Sequence, residues 1–221
     1  MAAARIFVLS PASCAGKRCQ LLLAEDAGFA LATRLRREGA PLGEVMSFLS
    51  ALYFRGKLAY AERFARPGAR GVWVITPDRG LVPPETTVTL RDLRAFARVP
   101  IEPTEARYVG PLRDAARALR ADLPAGAEVV LLGSIATPKY VDVLRDAFGA
   151  SLVFPREFVG RGDMSRGGLL LRAARAGVEL EIGGDAPQHQ AAAAHVAASD
   201  EMRRKHQPLA EDRQQQVDVL A

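Results

Sequence analysis

Four short, almost uninterrupted apolar runs decide what this chain can fold into. They are Arg5-Ile-Phe-Val-Leu9, Gly71-Val-Trp-Val-Ile75, Glu128-Val-Val-Leu-Leu132 and Ser151-Leu-Val-Phe154. A strand with one face in water alternates apolar and polar residues. These runs do not alternate, so each is expected to be covered on both faces, as in a parallel sheet. Parallel neighbours need long crossovers, and the stretches between the runs carry helical spacing. Leu21, Leu22, Ala24, Ala27, Phe29, Ala30, Leu31 and Leu35 mark a helix within residues 17–38, ending before Gly39 and Pro41. A second helix is expected over 43–65, with Gly56 as its weak point, and a third over 89–97 with Thr89 as N-cap. Leu112, Ala115, Ala116 and Leu119 form an amphipathic stripe that stops at Pro124-Ala-Gly126. A last helix opens with Pro138 in its first turn and closes at Gly149. The expected fold is an α/β three-layer sandwich: a mainly parallel four-stranded sheet flanked by helices, with right-handed crossovers.

After Ile182 the pattern changes. Gly183-Gly-Asp-Ala-Pro187 is a breaker cluster, residues 190–206 have only modest amphipathicity, and the end of the chain is polar. The chain therefore divides into an α/β domain, 1–182, and an extension, 183–221, expected to be helical or partly disordered.

With 49% hydrophobic and 25% charged residues, the composition excludes a wholly disordered chain. No apolar run approaches the roughly 20 residues of a membrane span, so no membrane partner is expected. Met1-Ala-Ala-Ala-Arg5 runs straight into a strand, too short and too strand-like for a secretory signal. Two cysteines, Cys14 and Cys19, with no CxxC and no Cys/His cluster make a disulfide framework or a zinc site improbable, so a reducing, cytoplasmic setting is expected. The net charge of +5 is uneven. Residues 1–182 hold 26 basic and 19 acidic side chains, residues 183–221 hold 4 and 6, and 26 of the 30 basic residues are arginine. A GC-rich genome favours Arg and Ala without any functional cause, whereas guanidinium forks grip phosphate and carboxylate. Position along the chain is what separates the two.

In open parallel sheets ligands bind beyond the carboxyl ends of the strands, so the segments that follow the apolar runs carry the information. They are Ser10-Pro-Ala-Ser13-Cys14-Ala-Gly-Lys17-Arg18, Thr76-Pro-Asp-Arg79-Gly80, Gly133-Ser134-Ile-Ala-Thr-Pro-Lys139, and Pro155-Arg-Glu-Phe-Val-Gly-Arg161-Gly162-Asp163-Met-Ser165-Arg166-Gly-Gly168. All four are small, hydroxylated and basic. Gly and Ser expose backbone amides, and with Lys or Arg beside them they make an anion cradle; as plain turn-formers they would look the same. The first segment imitates a phosphate-binding P-loop, but Pro11 replaces the first glycine and Arg18 the magnesium-binding hydroxyl. No G-x-G-x-x-G follows a strand. No nucleotide-triphosphate hydrolysis, dinucleotide cofactor or metal is therefore expected.

Ligand-binding candidates are Ser10, Thr76, Arg79, Gly80, Gly133, Ser134, Lys139, Arg161, Gly162, Ser165 and Arg166. Candidates for chemistry are Asp163, Lys17, Ser13 and Cys14. Asp163 either sits near the N-cap of a helix opening around 164–166 or orients a base, ribose or water while Arg161 and Arg166 hold the anion. Cys14 or Lys17 at a helix start would have a lowered pKa. The three histidines, His189, His195 and His206, all lie in the extension, so Ser/His or Cys/His catalysis would need it to fold back. On the 43–65 helix, Tyr53, Arg55, Lys57 and Tyr60 interleave aromatics and cations. Such a face can stack on bases while neutralising phosphate, or it is an ordinary solvated face with snorkelling side chains.

Phe48-Leu-Ser-Ala-Leu-Tyr53-Phe-Arg55-Gly-Lys57, Val74-Ile-Thr-Pro-Asp-Arg79-Gly-Leu81 and Gly160-Arg-Gly-Asp163-Met-Ser-Arg166-Gly-Gly168 together resemble an uncharacterised bacterial protein family over roughly residues 5–181. The family pattern implies that Val178-Glu-Leu-Glu-Ile182 continues as a hydrophobic strand, whereas here Gly183-Gly184 cuts it. More distantly, Pro11-Ala-Ser13-Cys14-Ala-Gly-Lys17 after a strand is similar to a loop of archaeosine-synthase-like domains, whose α/β fold is akin to that of uracil-DNA glycosylases. The family's Lys-Pro-Tyr-Ser continuation is absent, since Arg18-Cys19-Gln20 follows. That likeness implies a base-handling loop at Ser13, Cys14 and Lys17. The function expected is a nucleotide- or nucleobase-directed domain whose anion pocket lies at the strand ends. Its enzymatic form would be base modification or glycosidic-bond chemistry, and the alternative is a non-catalytic nucleic-acid or nucleotide-binding module. The expected partner is an anionic small molecule or nucleic acid.

Overall fold

The segment Arg5–Leu9 (β1) sits where nothing reaches water: Ile6, Phe7, Val8 and Leu9 are all fully buried. Successive strand residues point to opposite faces, so burial of every one of them means that both faces of the sheet are covered. In the computed structural model, which describes residues 3–66, 70–135 and 137–183, β1 is flanked by two parallel neighbours. Val72–Thr76 (β3) joins it with Phe7 opposite Val72, and Glu128–Leu132 (β6) with Phe7 opposite Val130. Leu152–Pro155 (β7) continues the parallel set beside β6.

These four strands are the four apolar runs. The sheet nevertheless has six strands rather than four. Gly80–Val82 (β4) pairs antiparallel with β3 and Ile182–Gly183 (β8) antiparallel with β7, giving the order β4-β3-β1-β6-β7-β8. Both additions protect an edge of the parallel set from further pairing, and at three and two residues both are too short to show a periodicity. A separate antiparallel pair joins Ala40–Pro41 (β2) to Thr87–Val88 (β5).

Two of the expected helices are each a pair. The first divides into Lys17–Leu23 (α1) and Ala30–Arg37 (α2), and the second into Leu42–Ser50 (α3) and Leu52–Phe64 (α4). The second break falls at Ala51, which adopts φ 47° and ψ −110°, and not at Gly56. Gly56 lies instead inside α4, where that helix meets Asp163–Ala176 (α8). A Cβ on Gly56 would come 2.6 Å from the carbonyl oxygen of Gly167, and one on Gly167 would come 2.8 Å from Tyr53 Cα. Leu90–Ala97 (α5) begins at Thr89 as expected, with a full capping box: Asp92 N donates to Thr89 Oγ1 at 3.4 Å and Thr89 N to Asp92 Oδ2 at 2.7 Å. Ala106–Asp122 (α6) starts before its apolar stripe and accommodates Pro111, and Pro138–Phe148 (α7) has Pro138 in its first turn. The helices α4 and α8 pack on each other, as do α6 and α7.

At the amino ends of the strands Arg5 is bonded to Glu128 and Glu179, Arg66 donates to Glu179, and Leu180 N donates to the Tyr60 hydroxyl at 2.8 Å. These contacts tie residues 179–180 to β1 and α4. All described residues fall within one compact unit, Met1–Ala186. The extension beyond residue 183, with its histidines, lies outside the described residues. Among the described residues no helix is long and apolar enough to cross a membrane.

Candidate functional site

In order of appearance the parallel strands lie 2-1-3-4 across the sheet (β3-β1-β6-β7), so the connections leaving β1 and β6 part company there. That divergence opens a crevice beyond their carboxyl ends. A cleft of about 820 Å³ occupies it, within the range of small-molecule sites. Residues 10–18, after β1, form its floor. Ser134 and the first turn of α7, with Lys139 and Tyr140, stand on one side. Tyr53 near the start of α4 and Asp163 at the start of α8 close the back, and Phe96 with residues 99–101 makes an apolar wall. The backbone turn at Ala51, the one non-glycine with positive φ among the described residues, separates α3 from α4 directly after the lining residues Leu49 and Ser50. Such strained residues cluster at functional sites.

Eight of the residues singled out from the sequence line the cleft: Ser10, Ser13, Cys14, Lys17, Tyr53, Ser134, Lys139 and Asp163. Lys17 and Ser13 are exposed, and Lys139 is half-buried with its ammonium 5.2 Å from the Tyr140 ring centre. Ser13 Oγ accepts from Ala15 N at 3.3 Å, and Thr137 Oγ1 donates to Ser134 Oγ at 3.4 Å.

The remaining candidates are placed elsewhere, and four arginines expected on the rim or on a binding face are among them. Arg79 bonds Asp78 and, at 2.8 Å, Asp92, and lies 4.8 Å from the centre of the Phe96 ring, so it supports the apolar wall from behind. Arg166 is buried: Nη2 and Nε donate to the Phe158 carbonyl at 2.9 and 3.3 Å and Nη1 to that of Gly133 at 3.5 Å. Arg161 is exposed outside the cleft and reaches only Ser165 Oγ, at 3.3 Å. Arg55 points to solvent. Thr76 and Gly80 build the β3–β4 turn, where Thr76 Oγ1 donates to the Gly80 carbonyl and Gly80 has φ 69°. Gly133 packs against Ser10, and Gly162 is the N-cap of α8, leaving Asp163 as its first residue without a capping bond. Nor do Tyr53, Lys57 and Tyr60 form a solvated or stacking face, since all three are buried as α4 packs on β1 and α8.

Lys57 sits beneath the floor, 1% exposed. Its ammonium donates to the backbone oxygen of Ser10 at 2.5 Å and to Ser10 Oγ at 3.0 Å. Burial lowers its pKa to about 7, against the pull of the Asp163 carboxylate. Burial likewise pushes the Tyr53 phenol up to about 12, although Arg166 beside it favours ionisation; the hydroxyl is enclosed and makes no hydrogen bond of sound geometry. Burial also raises the Tyr140 phenol, with Tyr53 and Asp163 adding to the shift. Cys14 does not follow the expectation of a lowered pKa: the neighbouring Cys19 thiol and burial hold it protonated, well above the usual thiol range. Among the described residues no group of three or more His, Cys, Asp or Glu side chains is placed to hold a metal.

No family model, no curated protein and no solved structure matches this chain. Its chemistry has to be read from the cleft itself. The sequence overlooked the apolar wall, Phe96, Val99 and Ile101, and it overlooked Tyr140. Arg94-Ala-Phe-Ala-Arg-Val-Pro-Ile101 reads as a helix end running into a loop, and only the fold of α5 against the β3–β4 turn brings it over the strand ends.

Proposed function

We propose that this cleft binds a nucleotide or a nucleobase bearing an anionic group, and that the domain acts on that base or on its glycosidic bond. The observation that carries the reading is the two-sided character of one crevice. Lys17, Lys139 and the hydroxyls of Ser13 and Ser134 line it as polar groups suited to phosphate, while half-buried Val99 and Ile101, backed by the buried Phe96 ring, offer an apolar side suited to a base. Asp163 is the acid–base candidate. It is exposed and lines the cleft, its Oδ1 lies 3.7 Å from Arg166 Nη1, and it lies close enough to Lys57, Tyr53 and Tyr140 to act on each electrostatically. The likeness of the first loop to that of archaeosine-synthase-like domains, whose fold is akin to that of uracil-DNA glycosylases, supports the same reading. Burial of Tyr53, Lys57 and Tyr60 disfavours the alternative of a nucleic-acid-binding face on α4.

Titration calorimetry with mononucleotides and with a long single-stranded oligonucleotide, each over a range of salt, tests this. The expected result is saturable mononucleotide binding with a shallow salt slope, weakened about tenfold by Lys17→Ala or Lys139→Ala. Indifference to every mononucleotide, together with steeply salt-dependent binding of the long polymer, would replace the pocket with a non-catalytic module.

A further inference from the structure

Ser10, itself buried, directly follows β1, and its side chain is held from two sides. Across the sheet lies Gly133: a Cβ there would come 2.9 Å from Ser10 Cβ and 3.0 Å from its Oγ, so the missing side chain is what gives the hydroxyl its room. From α4, Lys57 reaches under the strand end and places Nζ 3.0 Å from Ser10 Oγ and 2.5 Å from the Ser10 carbonyl oxygen. The ammonium lies 4.4 Å from the Tyr53 ring centre and 5.0 Å from that of Phe54. Among the described residues no carboxylate is bonded to it. Of the charged and titratable groups around this pair, Asp163 from α8 acts on Lys57 directly and the Tyr53 ring from α4 lies against its ammonium, while Arg166 from α8 and Tyr140 from α7 adjoin Tyr53. Ser10 lines the cleft, while Lys57 is sealed behind it.

We propose that Ser10 and Lys57 form a serine–lysine dyad, with Ser10 Oγ as nucleophile and Lys57 Nζ as its general base, which makes this cleft a site for hydrolysis of a carboxylic ester or amide. A base for a serine must be a neutral amine within hydrogen-bond reach, held where water does not protonate it. Lys57 meets the geometric condition directly, and burial brings its amine into play near neutral pH.

In the first step Oγ bonds to the acyl carbon, its proton passes to Nζ, and the carbonyl π pair becomes an oxyanion. Collapse expels the alcohol or amine, which takes that proton from Nζ. Water then attacks the acyl-serine and gives a proton to Nζ. Collapse returns the proton to Oγ and releases the carboxylic acid. Water is the only co-reactant. The apolar wall suits an uncharged acyl or leaving group, and none of this depends on the ligand being a nucleotide.

The test is covalent labelling of the full chain with a fluorophosphonate, read by intact mass and peptide mapping. One equivalent is expected on Ser10, at a rate that rises through an apparent pKa near 7. Ser10→Ala, which keeps the backbone acceptor of Lys57, is expected to retain the circular dichroism of the wild type and take up no label. Lys57→Arg keeps the charge without a usable base and is expected to label at least about 100-fold more slowly. An unlabelled wild type, a label on another residue, or equal rates for Lys57→Arg and wild type would overturn the dyad and leave Lys57 a latch on β1. Should Lys57 variants not fold, a wild-type rate that is flat from pH 6 to 9 overturns it just as well. Failure of nucleotides to bind would leave this result untouched, and failure to label would leave the nucleotide reading untouched.

Discussion

Gly56 of α4 and Gly167 of α8 meet backbone to backbone, close enough that a methyl group on either would strike the other helix. Tyr53 and Lys57 lie on one side of this seam, Asp163 and Arg166 on the other, each within about a turn of its glycine. The spacing of the two helices therefore sets the spacing of the polar groups at the back of the cleft. Gly→Ala inside a helix ordinarily gains stability. Here Gly167→Ala is expected to lose about 2 kcal/mol, because backbone atoms 2.8–3.0 Å away cannot yield as a side chain would. Urea unfolding measures it; a variant as stable as wild type would mean that the helices slide apart freely.

Two arginines six and one residues before Gly167, Arg161 and Arg166, share a sequence context and differ entirely in environment. Arg166 satisfies two carbonyl oxygens from beneath α8. Arg166→Leu is expected to cost about 2–3 kcal/mol by leaving the Phe158 and Gly133 carbonyls without that donor. Arg161→Ala is expected to change stability by less than about 0.5 kcal/mol and to leave nucleotide affinity alone, since Arg161 stands outside the cleft. Thermal melts of the pair, with one nucleotide titration of Arg161→Ala, check both halves.

The contrast shows what was legible in the sequence. A continuous run such as Ile6-Phe-Val-Leu9 reveals a strand buried on both faces, and the four runs fix the parallel set, because period and burial are local properties. The strand ends then point to the loops that face a ligand, which is how Ser10, Ser13, Lys17, Ser134, Lys139 and Asp163 come together. What stays hidden is how a long cationic side chain is spent. Arg79 and Arg166 look alike beside glycines, yet each has partners 13 and 33 residues away in the chain, Asp92 and Gly133. Lys57 looks like a surface lysine at i,i+4 from Tyr53, and its burial depends on Gly56 admitting α8.

Arg79 acts on the cleft through Phe96. Its guanidinium bridges Asp78 and Asp92 and lies over the ring that forms the apolar wall. Arg79→Ala leaves the Thr89 capping box intact but frees the start of α5. Partial exposure of the ion pair limits the loss of stability to about 1 kcal/mol. Affinity for a ligand with an aromatic base is expected to fall several-fold, while a ligand of phosphate alone is unaffected. Parallel titrations of a nucleotide and of inorganic pyrophosphate separate the two; an equal loss for both would remove Phe96 from base recognition.

Lys57 gives the fold a pH dependence of defined sign. Its pKa falls from the ordinary lysine value of 10.5 to about 7 on folding. Between those limits the unfolded chain carries more protons at this position than the native one, so stability rises with pH. Below about pH 7 the full cost of a buried ammonium is present, and it is relieved progressively toward pH 10.5. Cys14, Tyr53 and Tyr60, all with raised pKa, act in the opposite direction at alkaline pH, so the informative quantity is the difference between wild type and Lys57→Met. Methionine removes the titration and the bonds to Ser10; the lost bonds shift its curve by a constant, and the lost titration changes its slope. From pH 7 to 9.5 the wild type is expected to gain on the order of 3 kcal/mol relative to Lys57→Met, measured by urea unfolding at matched ionic strength. Parallel curves would mean that Lys57 titrates as an exposed lysine does, and the hydrogen bonds from Nζ to Ser10 could not then be those of a partly neutral amine.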